Sequence, residues 1–516
     1  MLSPARSSRA AGRLSASALV LLALSATAPL AVVAGVVPAA YARGEVPFVP
    51  LTFLAAGLVL LLFGAGYAAM VRRGPAAGAL YAFVARGLGR PVGVGAAGLA
   101  VLSYLAVQVG LAGAVGLAVA SLWPAIPWWA VAAAGWLLVT IGGLLPVRLA
   151  VAVPAVLVPA QIALITGFAA ANVLSPAPGR PALDMLLPAP VDRPALGLLL
   201  VAAALTFIGF ETTAAYAGET ARPRRSIARA TTLAVVLLAL LYAGSAWAIS
   251  MATGPDLVTA WSAGRGPELV FDLAAERLAP WAVPLGRVLL PAGLLAAMIA
   301  LHHTVSRYVR ALARERLLPT GLDRPVPAAL AQSAVAGALL AGLVGSGWAP
   351  AEFGRLVTAG AIGILLVLVA TSAATLLFLN RTPGFGFSAP SGRKGAGGGT
   401  APGRETVWRR LVAPAAATVL LGALVYLAFA RLPAVLDVPA GHPLTYALPG
   451  GYAGVLLSGV AYAFVVKAAR PIAYAGIGLG GTAVVVTPAL PRPREPGAHR
   501  PERVAVSRRT PGSERA

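Results

Sequence analysis

Apolar residues run along this chain in blocks of about 20, each long enough as a helix to cross a hydrocarbon core of ~30 Å. The blocks fall near residues 15–40, 48–70, 94–120, 127–146, 149–172, 195–217, 230–252, 281–304, 327–346, 355–379, 411–430 and 446–466. Polar residues gather in short connections, apart from the Gly/Pro/Arg-rich stretch 380–408, "NRTPGFGFSAPSGRKGAGGGTAPGRETVW". The pattern predicts an all-α membrane protein of about twelve transmembrane helices. It divides into a cytoplasmic N-terminal segment (1–14), a ten-helix core (15–379), a cytoplasmic linker (380–408), two last helices (409–467) and a largely disordered cytoplasmic tail (468–516).

Two blocks are interrupted. The first breaks at "SATAPLAVVAG" (25–35), where Pro29 removes a backbone donor. The sixth breaks at "TFIGF" (206–210), where Gly209 weakens the helix. If the first ten helices form two halves of five, the breaks occupy matching positions, the best pointer in sequence to a transporter's binding site. Unwound backbone at that depth is tolerated only when buried or facing a water-filled cavity. The free N–H groups of a half-helix then suit an anion such as a substrate carboxylate.

Composition agrees: 59% of residues are hydrophobic, 11% charged, and mean hydropathy is +0.83. A net charge of +23 would suggest nucleic acid in a soluble chain. Here a cytoplasmic N-terminus puts 32 of the 40 Lys and Arg residues on the inner side. The charge therefore reads as an insertion signal with both termini cytoplasmic, and no nucleic-acid partner is expected. The first block is too long, and too interrupted by Thr27 and Pro29, for a cleavable signal peptide. Residues 472–490, "IAYAGIGLGGTAVVVTPAL", precede seven arginines and read as a surface-associated segment rather than a further span. "ALYAFVARGLGR" after the second block reads as an amphipathic helix on the inner face.

Several functions are excluded by what is missing. The chain has no cysteine, no His-x₃-His pair, no Gly-x-Ser-x-Gly turn and no phosphate loop, and its only lysines are Lys394 and Lys467. No enzyme, ATP-driven pump, metal site or cofactor is expected. One acidic residue, Glu211, lies deep within a predicted span, where a charge facing lipid costs several kcal/mol.

Three stretches resemble the amino acid–polyamine–organocation (APC) superfamily of permeases. "FIGFETTAAYAGETARPRRSIARAT" (207–231) is similar to its sixth-span signature, "VRRGPAAGALYAFVARGLGRPVG" (71–93) to its loop after span 2, and "SRYVRALARERLLP" (306–319) to its span-8 exit. The resemblance implies a 5+5 inverted repeat of the leucine-transporter type with two extra helices, and alternating-access transport of amino acids. Where the family has a Gly-x-Gly break in span 1, this chain has "SATAPL"; where some proton-coupled members have a span-5 lysine, it has Gln161.

These observations give a candidate site. Ser25, Ala26, Thr27, Ala28 and Pro29, with Phe207, Ile208, Gly209, Phe210 and Glu211, are the expected substrate-binding residues. Glu211, His302 and Gln161 are candidates for proton coupling, and Phe207 for a gate. His302 and His303 are adjacent on a helix and point to different faces, so they are not a metal pair. Tyr104 and Gln108 either bound the cavity or join helices. A single buried acid favours a neutral amino acid, because an extra positive charge calls for a second carboxylate or an aromatic face. The expected protein is a plasma-membrane secondary transporter, a symporter or exchanger, driven by protons. The alternatives are an amine or polyamine exchanger of the same fold and a non-transporting amino-acid sensor.

Overall fold

The structure, a computed structural model, describes residues 13–44, 48–73, 80–178, 193–220, 222–381 and 406–479. Most of the expected tail (from residue 480), most of the linker and most of the N-terminal segment lie outside the described residues; residues 468–479 of the tail are ordered, with a short helix at Pro471–Gly476. Among those residues the regular elements are helices, with one isolated bridge joining Leu14 to Thr220.

Each predicted apolar block is helical. In chain order the helices are α1 (Ala16–Arg43), α2 (Val49–Arg72), α3 (Arg90–Ala120), α4 (Trp128–Leu144), α5 (Val147–Leu174), α6 (Pro194–Glu219), α7 (Pro223–Thr253), α8 (Ala282–Arg314), α9 (Pro325–Gly345), α10 (Pro350–Arg381), α11 (Trp408–Ala430) and α12 (Leu444–Ala469). Eleven are long and apolar enough to cross a membrane; α4 is apolar but shorter. Local chemistry sets several ends. The Ser15 hydroxyl accepts from the Ala18 N–H at 3.1 Å to cap α1, and proline opens α7 and α9, where its missing N–H has no partner to lose.

Small residues let the central helices approach closely, the usual solution where lipid removes any hydrophobic drive between helices. A methyl group on Gly113 of α3 would lie 2.4 Å from the Phe353 side chain of α10, and one on Gly360 of α10 would lie 2.5 Å from the Ser103 carbonyl of α3. Of the five tryptophans expected to form an interfacial belt, Trp123, Trp129 and Trp281 are exposed, whereas Trp128, packed on Phe353, and Trp261, under Arg265, are half-buried.

The inner-face helix departs from expectation. Leu80–Gly87 is packed inside the protein: seven of its eight residues, all but Arg86, are buried, and Gly87 abuts the Ala374 backbone of α10. Its polar-looking side is covered by protein. The residues after α12 contribute to that cover. Arg86 donates to the Gly478 carbonyl at 3.1 Å, the Gly478 N–H donates to buried Glu315 at 3.1 Å, and Ile477 is buried. Gly478 has a φ of 79°, and a methyl group there would meet Ala85 at 3.0 Å. The described part of the expected surface segment therefore docks on the protein; residues 480–490 lie outside the described residues.

Candidate functional site

Both predicted breaks are present, and they touch. The first part of α1 ends at Ala26; Ala28 takes a left-handed conformation (φ 46°, ψ 65°), and helix resumes at Pro29. A residue before proline is driven out of the right-handed helical region, so Pro29 explains why the turn falls at Ala28. In α6 regular helix ends at Thr206, Gly209 sits at φ 124°, and Phe210–Glu219 continues as a ten-residue 3₁₀ helix. Such helices rarely exceed 3–4 residues and tend to mark hinges. A Cβ on Gly209 would lie 2.9 Å from the Ala26 carbonyl carbon, so only glycine lets the breaks meet.

From the α1 break a cavity of about 330 Å³ runs along α1 to Arg43. Its walls are Ala26, Thr27, Ala28 and one face of the second part of α1, with Val107 and Leu111 of α3, Leu205, Thr206 and Ile208 of α6, and Val357, Thr358 and Ala361 of α10. Three threonines supply its side-chain hydroxyls, and Arg43, at the end far from the N-terminus, is its one charged lining residue among those described. Ligand cavities span roughly 300–1,000 Å³, so this one suits a single small molecule.

The candidate residues divide between this cavity and the packing around it. Ala26, Thr27, Ala28 and Ile208 line it; Ser25, Pro29, Phe207, Gly209, Phe210 and Glu211 do not. Phe207 packs edge-on against Tyr242 at 5.6 Å, and Phe210 against Phe63 at 6.1 Å. Thr27 donates its hydroxyl back to the Leu24 carbonyl at 2.8 Å. The amides after the α1 break are also engaged. Pro29 has none, Leu30 donates to the Gln161 side chain at 3.4 Å, and Ala31 and Val32 both donate to the Ala28 carbonyl.

Glu211 is 1% exposed and turned away from the cavity. One carboxylate oxygen accepts from the Tyr104 hydroxyl at 2.8 Å, the other from the Gly209 N–H at 2.9 Å. Tyr104 stacks edge-on against Tyr308 of α8 at 5.8 Å. The carboxylate thus ties the α6 break to α3, and the proximity of Gly209 to Ala26 carries that tie to α1.

Gln161 holds α5 to the α1 break through Leu30 and packs against Gly293 of α8, where a methyl group would lie 2.6 Å from its amide nitrogen. A neutral carboxamide donates and accepts hydrogen bonds, and here its oxygen accepts from the Leu30 N–H. Gln108 accepts from Gln332 of α9 at 2.6 Å and joins helices. His302 pairs with the Ser333 hydroxyl at 2.8 Å and faces Gly143 of α4. His303 instead lines a second cavity, of about 450 Å³, with Glu219, Ser306, Arg307 and Arg310 among mainly apolar residues. There Arg307 binds Glu219 with two bonds, 3.0 and 2.8 Å, and lies 4.1 Å from the Tyr216 ring centre. The Leu14 N–H donates to the Glu219 carbonyl at 2.8 Å, so this cluster lies on the N-terminal face. Sequence reasoning did not single out the Glu219–Arg307 pair, although both residues stand in the quoted motifs.

Broken apolar helices meeting around a small cavity, within a bundle of membrane-spanning length, define a multi-pass membrane protein built to handle a small molecule. The chain belongs to the amino acid permease family, whose profile matches residues 19–382, from within α1 to the end of α10. That family lies within the superfamily the three motifs resemble, and its members are amino acid transporters rather than enzymes. No curated protein matches the chain.

Proposed function

We propose that the chain is a secondary-active permease that takes up a neutral amino acid by alternating access, driven by protons, across the plasma membrane with both termini cytoplasmic. One observation carries the reading. The cavity at the α1 break is apolar apart from threonines and Arg43, while the buried carboxylate beside it is held by the α6 break and Tyr104. A polyamine would meet no carboxylate among the described lining residues. An amino acid with an apolar side chain matches the apolar walls.

A difference between the two faces supports alternating access. The cavity reaches the Arg43 end of α1, whereas on the N-terminal face Glu219 and Arg307 join α6 to α8. With the termini inside, this is an outward-facing arrangement. Glu211 links proton and movement. A proton on the oxygen that accepts from Gly209 weakens that bond and frees the α6 break to change its angle against Ala26. Deprotonation toward the other side resets it.

The test is radiolabelled amino-acid uptake into proteoliposomes, with and without an inward proton gradient, for the wild type and Glu211→Gln. The reading expects gradient-stimulated uptake of a neutral amino acid, with the stimulation lost in Glu211→Gln while substrate binding persists. Uptake indifferent to both gradient and substitution would leave facilitated diffusion or exchange. Binding without uptake would make the protein a sensor.

A further inference from the structure

The cavity wall is not made by α1–α10 alone. Ala434 and Val435 also line it, and they come from a short helix, Leu432–Leu436, in the connection between α11 and α12, beyond the residues that match the family. The chemistry of this helix explains its placement. Leu432 and Leu436, four residues apart on one face, are both 2% exposed and anchor it; Ala434 is turned away from that face, and Val435, three residues after Leu432, is half-buried at its edge. Asp437 closes it in a left-handed conformation (φ 55°), which aspartate tolerates better than most residues. Two further contacts register it over the mouth. The Asp437 carboxylate lies 3.1 Å from the Arg43 guanidinium at the end of α1, and its carbonyl accepts from Arg355 of α10 at 3.2 Å. The ion pair is exposed, 48% and 71%, so it fixes position more than it adds stability.

The geometry points to the α11–α12 connection as the outer wall of the substrate cavity, with Val435 a specificity-determining residue that limits the size of the amino acid admitted. Three features favour this over a passive loop. Val435 faces lining residues of four core helices across a cavity at the small end of the ligand range, so one side chain there changes a large share of the free cross-section. The C-terminal end of the short helix is fastened, through Asp437, to two elements that line the cavity, at Arg43 of α1 and Arg355 of α10. Finally, valine is β-branched and stiff, which suits a fixed limit better than a flexible side chain would.

The inference rests on the permease reading for its effect on selectivity, but the position of the wall can be tested without it. The chain has no cysteine, so Thr206→Cys, on the cavity floor beside the α6 break, gives a single labelling site. Its rate of modification by a membrane-impermeant thiol reagent is measured with Val435 intact and with Val435→Ala, Val435→Phe and Val435→Trp. Folding is checked by gel filtration of each variant. We expect Val435→Trp to slow labelling at least tenfold, Val435→Phe less, and Val435→Ala to leave it equal or faster. In uptake, the ratio of large to small neutral amino acids should fall in the same order and rise in Val435→Ala. An unchanged labelling rate in both aromatic variants overturns the inference. If the wild type takes up no amino acid, the permease reading fails, while the labelling series still decides whether Val435 walls the cavity.

Discussion

Gly209→Ala tests the contact between the two helix breaks. The added methyl group would lie 2.9 Å from the Ala26 carbonyl carbon and 3.0 Å from its Cβ and oxygen, and backbone atoms of a packed break have little room to yield. Alanine would also have to hold φ at 124°. A sparsely populated conformation costs about 1–3 kcal/mol, and overpacking adds a similar amount, so the total is on the order of 2–6 kcal/mol. Even the lower figure is roughly a thirtyfold change in a folding equilibrium. The control lies nine residues on, in the 3₁₀ helix that Gly209 precedes. A methyl group on Gly218 meets nothing within 4 Å, so Gly218→Ala should be neutral or stabilise by up to about 1 kcal/mol. The assay is thermal unfolding in detergent, with proteoliposome uptake alongside. Gly209→Ala should lower the apparent melting temperature and abolish uptake, and Gly218→Ala should do neither. Equal stability and uptake in Gly209→Ala and the wild type would refute the idea that the breaks bear on each other through this glycine.

Other expectations follow from single contacts. Gln161→Leu removes the acceptor of the Leu30 N–H, at a cost of about 1–3 kcal/mol, and should reduce uptake while leaving proton stimulation intact; loss of the stimulation would restore Gln161 as a coupling residue. Tyr104→Phe deletes one of the two donors to Glu211, and should alter the pH profile of uptake more than substrate affinity, as read from initial rates at several pH values. Glu219→Gln breaks the charge-assisted pair with Arg307, worth about 1.5–3 kcal/mol, and should speed thiol labelling of Ser306→Cys from the N-terminal side. Gly478→Val, at φ 79° against Ala85, should release the segment after α12, seen as faster proteolysis near Arg470; unchanged protection would show that the docking tolerates a side chain.

What the sequence by itself determined is the part governed by local rules. A block of apolar residues must become a helix in lipid, because no other conformation satisfies its own backbone there, and so each of the twelve blocks is helical. Pro29 and Gly209 act on the backbone at their own positions, so both breaks could be read directly. Glu211 stood out because an isolated charge among apolar residues demands a partner. Which partner, and which way each side chain points, only the tertiary structure decided. Tyr104 meets Glu211 from 107 residues away, and Gln161 reaches Leu30 across 131. No period in the sequence encodes either pairing. The same holds for the helix Leu80–Gly87, whose amphipathic pattern is equally compatible with a lipid surface and with a protein cleft, and for Ala434 and Val435, which look like ordinary loop residues until α11 and α12 bring them over the cavity. Periodicity fixes the faces a helix owns; the packing of distant helices fixes what each face meets.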